Sequence, residues 1–140
     1  MNTITVQALI AAPISKVWEY WTLPEHITQW NFAADSWHCP AASNDLVKAG
    51  EFHYTMAAKD GSFSFDFWGT YDLIEKEKLL AITIGDGRKM FVDFEISATG
   101  TFVTERFEPE SQNPPELQQS GWQAILDNFK KYVEENHQQA

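Results

Sequence analysis

The residues from Asn113 to Glu134 restrict the fold more than any other part of the chain. They follow a long run of strand-like segments and read as one long helix. Asn113 can cap it, Pro114 suits its first turn, and Glu116 stands three residues after the cap. Trp122, Ile125, Leu126, Phe129 and Val133 recur at three- and four-residue steps, so one face is apolar. The pattern predicts a helix from about residue 114 to about residue 136, with Trp122, Ile125, Leu126 and Phe129 buried against a sheet. A sheet closed by one such helix can grip a molecule between them.

The preceding residues supply that sheet. Ile4, Val6, Ala8 and Ile10 alternate with Thr3, Thr5, Gln7 and Leu9, a first strand. Pro13 opens a short helix whose stripe is Ile14, Val17, Trp18 and Trp21. Thr22 and Glu25 have the spacing of a capping box for a second short helix ending near Trp30. The period then changes to two, over segments 35–42, 51–59, 62–75, 79–84, 89–98 and 101–108. Their joints are turn-like, among them Lys59-Asp60-Gly61, Gly85-Asp86-Gly87 and Thr99-Gly100. Joints this short make antiparallel neighbours. The order is β-α-α-β-β-β-β-β-β-α, an α+β class.

Composition narrows the function classes. A chain of 140 residues is expected to be one domain with one core. A formal charge of −10 repels nucleic acid and anionic membranes. Cys39 is the single cysteine, so no internal disulfide forms, which fits a reducing, cytoplasmic setting. The first twelve residues carry no Lys or Arg and do not read as a secretory signal. No stretch approaches the ~20 apolar residues of a membrane span. The 10 Phe, 6 Trp and 4 Tyr exceed what a core this small needs.

Element order and particular residues together resemble a known family. The residues are Ala12, Pro13, Val17 and Trp18; Thr22, Pro24, Glu25, His26 and Trp30; Gly50 and Phe52; Asp60, Gly61, Phe67, Gly69 and Tyr71; Thr101, Val103 and Thr104; and Gly121, Trp122, Ile125, Leu126 and Asn128. The chain resembles the START-like, polyketide-cyclase-type (SRPBCC) superfamily, in the branch named after activators of a heat-shock-protein ATPase. The resemblance covers essentially residues 1–140 as a single START-like domain. It implies a helix-grip fold: a curved antiparallel sheet around the long C-terminal helix, with two short helices after strand 1 closing one end. It also implies a cavity between sheet and helix. Members bind lipids or other hydrophobic small molecules, and some are cyclases. The resemblance is to the single-domain form, without the additional domain of the eukaryotic chaperone activators.

Strand alternation assigns the inward face. Phe63, Phe65, Phe67, Gly69 and Tyr71 share one side of their strand; Phe52, Tyr54 and Met56 share one side of another. Met90, Val92, Phe94 and Ile96 are expected inward on a third, with Asp93 and Glu95 outward. Candidate ligand-binding residues are Trp30, Phe52, Tyr54, Met56, Phe65, Phe67, Tyr71, Glu105, Trp122 and Leu126, and the expected cavity is at least ~300 Å³. Glu105 lies between Val103 and Phe107 on an apolar face. If it points inward, desolvation raises its pKa, and it needs a partner, a water or a ligand. The alternative is a slip of parity or a surface pair with Arg106 or Arg88. His38 stands on a strand of ambiguous parity: either Trp37 and Cys39 face in, or His38 and Pro40 do. In the second case a His38–Glu105 pair could do acid–base work.

The other histidines, His26, His53 and His137, read as solvent-facing. No metal-ligand spacing, phosphate loop or nucleophile elbow is present, so neither metal nor cofactor is expected. Asp35, Asn44, Asp45 and Asp60 read as turn residues, and Lys130 and Lys131 as complements to the helix dipole. Three functions follow. The first, preferred, is binding of a lipid or aromatic metabolite. The second is a cyclase- or hydrolase-like reaction through Glu105, His38 or Tyr54 on an aromatic or polyketide-like substrate. The third is a co-chaperone or protein-interaction module, with a chaperone ATPase as partner, suggested by the family name alone.

Overall fold

The computed structural model describes residues 3–136. Strand β1 (Ile4–Ile10) is followed by helices α1 (Ile14–Thr22) and α2 (Pro24–Trp30). Six strands come next: β2 (Trp37–Asn44), β3 (Glu51–Ala58), β4 (Ser64–Glu75), β5 (Leu79–Ile84), β6 (Lys89–Ser97) and β7 (Gly100–Phe107). Helix α3 (Pro115–Asn136) closes the chain. All seven strands form one antiparallel sheet in the order β1-β7-β6-β5-β4-β3-β2. Consecutive strands from β2 to β7 are neighbours, as their short joints require, and β1 pairs with β7 across the whole strand. Inward side chains of β3 to β7 meet α2 and α3 around one space, so the sheet curves about the long helix. This is the helix-grip arrangement.

The alternation in β1 is realised fully: Ile4, Val6, Ala8 and Ile10 are buried and the residues between them exposed. Helix α3 buries Leu126, Phe129 and Val133 completely, and Trp122 stacks on Phe107 at 3.7 Å. Its polar edge is stitched to β1. Gln119 and Gln123 donate to the Thr5 and Gln7 carbonyls, and Lys130 donates to that of Leu9. Lys130 also pairs with Glu134. It therefore joins helix to strand, and the last turn of α3 carries no basic residue.

Two helix starts differ from expectation. Thr22 ends α1, donating its hydroxyl to the Trp18 carbonyl at 2.7 Å, and Leu23 is the α2 cap. The capping box does not form because the chain enters α2 one residue later, with Pro24 in the first turn. Helix α3 likewise starts after Asn113, at Pro115, and the Pro114 carbonyl accepts the first helical bonds. Gln118, inside the helix, ties down the preceding loop: it donates to the Glu110 and Asn113 carbonyls and accepts from the Glu110 N–H.

Inward parity fails at two strand ends. Ile96 is 74% exposed, because the helices cover β6 only as far as Phe94, whose ring meets Trp18 and Trp21. Phe63 lies in the β3–β4 turn, beyond the paired strand. It is exposed against Trp37 and Phe65. A bulge between Tyr71 and Leu73 also turns Leu73 outward and lets Ile74 pack on the core. Among the described residues no helix is long and apolar enough to cross a membrane.

Candidate functional site

A cavity of about 170 Å³ lies between the sheet and α3. Its walls are Phe52, Tyr54 and Met56 from β3, Phe65, Phe67 and Tyr71 from β4, Leu80 and Ile82 from β5, and Met90 and Val92 from β6. Trp21, Trp30 and Asn31 close the α1–α2 side, Trp122 and Ile125 come from α3, and Glu105 comes from β7. The space is smaller than the ~300 Å³ expected, because aromatic rings fill much of it. Trp30 and Trp21 both lie edge-on to Phe129, at 4.7 and 4.9 Å, and Trp122 lies edge-on to Phe67 at 6.0 Å. An apolar cavity of roughly 150 Å³ takes one benzene ring, so this one has the size of a single-ring ligand. Phe65, 46% exposed, stands at its rim.

Nine of the ten candidate ligand-binding residues therefore line one space. Leu126 does not. It is fully buried in the core, and its neighbour Ile125, about 100° round the helix, takes the wall position. Sequence reasoning also missed Asn31 and Asn44. Asn44 accepts from the Tyr71 hydroxyl at 2.6 Å and donates to the Thr22 carbonyl at 2.7 Å. It thereby ties the cavity wall to the end of α1. An Asn beside a turn carries no sequence signal that separates this role from an ordinary turn residue.

Space inside the sheet depends on Gly69, which pairs with Phe52. A methyl group at residue 69 would stand 3.0 Å from the Phe52 ring and 2.8 Å from the Thr83 carbonyl oxygen. Gly69→Ala is expected to cost about 1–3 kcal/mol, the usual toll of overpacking, and to displace Phe52 into the cavity. Urea unfolding together with the aromatic NMR shifts of Phe52 checks this; an unchanged spectrum and midpoint would contradict it.

Glu105 points inward and is only 6% exposed. Its strand partners are Val6 and Val92. No side chain among the described residues pairs with it: Arg106 binds Asp93 at 3.1 Å and Arg88 binds Asp86 at 2.8 Å. Desolvation pushes its pKa up to about 8, so the carboxyl is mostly neutral at pH 7. Burial also pushes Tyr71 up to about 12, and Tyr54 well above the ordinary tyrosine value. Both phenols therefore stay protonated.

His38 does not join Glu105. It lies on β2, the edge strand farthest from β1 in the sheet, and is not in the cavity wall. Register breaks between His38 and Ala41, and it is Cys39 that faces inward, buried, with its thiol pushed up to about 11 by desolvation. His26 is a correction of another kind. Its ring stacks on Tyr20 and shares a 2.7 Å hydrogen bond with the Tyr132 hydroxyl, which ties α2 to α3. His53 faces out between Asp66 and Glu51, and the bond to Asp66, then that to Glu51, raises its pKa. His137 lies outside the described residues. Among those residues no group of three His, Cys, Asp or Glu could hold a metal ion.

The fold has many counterparts among solved structures. A solution structure of an AHSA1-like protein from Aeromonas hydrophila is 43% identical, over 97% of this chain and 94% of that one, with a TM-score of 0.91. A protein from Cytophaga hutchinsonii is 52% identical over 100% and 97% of the two chains, with a TM-score of 0.83. A crystal structure from Nitrosomonas europaea shares the fold at 19% identity, over 97% and 96%, with a TM-score of 0.82. No curated protein matches the chain significantly. The family described as activator of Hsp90 ATPase homolog 1-like protein matches residues 11–134. With that match spanning most of a START-type helix-grip fold, the chain belongs to the activator of Hsp90 ATPase homolog 1-like family.

Proposed function

We propose that residues 1–140 act as one START-like domain, in the cytoplasm, that binds a small hydrophobic molecule between the sheet and α3. One observation carries this reading: an aromatic-walled cavity with a few placed polar groups, Glu105, Asn31, Tyr54 and Tyr71. Binding pockets have this make-up, whereas a structural core would fill the space. The volume favours a single ring or a short chain over a full-length lipid. The half-exposed aromatic group of Trp37, Phe63 and Phe65 forms the rim, because Phe65 also lines the cavity. The alternative, a cyclase- or hydrolase-like reaction, keeps Glu105 and Tyr54 in the cavity wall and loses His38.

The test is thermal stabilisation by single-ring compounds such as toluene and benzyl alcohol. A ligand at ~100 times its dissociation constant adds about 2.7 kcal/mol of apparent stability. Stabilisation is expected to saturate, to shift the NMR signals of Tyr54, Phe67 and Trp122, and to vanish in Ile125→Trp, which fills the space. If no compound stabilises the protein or shifts those signals, the binding reading fails.

A further inference from the structure

Among the described residues, Glu105 is the only charged-type side chain in the cavity wall. It is buried and has no partner among the described residues, as is the side-chain amide of Asn31 on the same wall. A buried polar group without a partner is costly, and where it lines an open cavity its missing partner is the occupant. Among the described residues no Lys, Arg or His lines the space, so no cationic side chain there would hold an anion. Trp21, Trp30, Tyr54, Phe67 and Trp122 line the same space, and the face of an aromatic ring attracts a desolvated cation. The chain's formal charge of −10 draws cations toward it. Building on the small-molecule reading above, we propose that the cavity selects a single-ring apolar amine, its protonated nitrogen paired with Glu105 and its ring held among the aromatic side chains. On binding, the ammonium keeps its protons, Glu105 ionises, and the carboxyl proton leaves to solvent.

This makes the affinity dependent on pH. Glu105 holds its proton up to about pH 8 in the free protein, and the bound ammonium favours the ionised form. Amine affinity therefore rises from pH 6 to pH 8, approaching tenfold per pH unit. The other titratable groups of the wall, Tyr54 and Tyr71, are both shifted upward and stay neutral throughout. The residues paired beside Glu105 on β1 and β6, Val6 and Val92, carry no charge.

Calorimetric titration of the full chain with benzylamine, benzyl alcohol, toluene and benzoate, between pH 6 and pH 8, tests the proposal. Benzylamine is expected to bind at least tenfold more tightly than benzyl alcohol at pH 8, with proton release, and benzoate not at all. Glu105→Gln is expected to lose the amine preference and the proton release while still binding benzyl alcohol, which also shows that its cavity is intact. If benzyl alcohol or toluene binds and benzylamine binds no better, or if Glu105→Gln keeps the preference, the amine proposal is overturned and the small-molecule reading stands. If none of the four binds the wild-type protein, both are overturned. Should Glu105→Gln not fold, the wild-type preference and its pH slope decide alone.

Discussion

Phe129→Ala is expected to lower stability by about 3–5 kcal/mol, the range for truncating a fully buried aromatic side chain. The ring is wholly inaccessible, and the edge contacts of Trp21 and Trp30 press on it from the two short helices. Trp30 cannot easily follow into the gap. Its indole N–H donates to the Tyr20 carbonyl at 2.9 Å, and the Asn128 side chain donates to the Trp30 carbonyl at 2.7 Å. The hole would therefore stay open, and a cavity that cannot collapse is the costly kind. Leu117→Ala is the control: Leu117 lies on the same helix but is 59% exposed, so its change should stay within about 0.5 kcal/mol. Urea unfolding with unchanged slopes gives both numbers. A cost for Phe129→Ala below about 1 kcal/mol would mean that α3 is not the clamp of this fold.

The contrast between Phe129 and Leu117 shows why the architecture was legible. Burial on a long helix follows from period alone, and the seven strands follow from period two between short joints. Boundaries were legible to within about two residues. What alternation could not supply was where coverage stops. Ile96 and Phe63 obey the same parity as Phe94 and Phe67, yet no helix covers the first and the second stands just before β4, in the turn from β3. The bulge at β2 hid the orientation of His38 for a related reason: one extra residue reverses every side chain after it. Leu126 and Ile125 are adjacent on one apolar face, and only the rotation of α3 decides which meets the cavity. Cavity size was also beyond the sequence, since it depends on how rings interlock. Glu105 was legible because its two neighbours in parity, Val103 and Phe107, are both fully buried.

The stability of the protein should fall as pH rises through the neutral range, and Glu105→Gln should abolish much of that fall. Burial raises the Glu105 pKa from 4.5 to about 8. Below the unfolded value the carboxyl is neutral in both states and favours neither. Between the two values the native state keeps its proton while the unfolded chain loses it, so unfolding gains about 1.4 kcal/mol per pH unit. Above about pH 8 both forms are ionised and the loss levels off. Across that window the full change is roughly 5 kcal/mol, comparable to the whole stability of many domains. Glutamine has nearly the same shape and no proton to lose. The variant should therefore match the wild type near pH 4 and exceed it by several kcal/mol at pH 9, in the absence of any ligand. The difference between the two curves isolates Glu105, because every other carboxylate is common to both proteins. Parallel curves from pH 4 to pH 9 would show that the Glu105 carboxylate is well solvated or paired in the native state, and would remove it from the site.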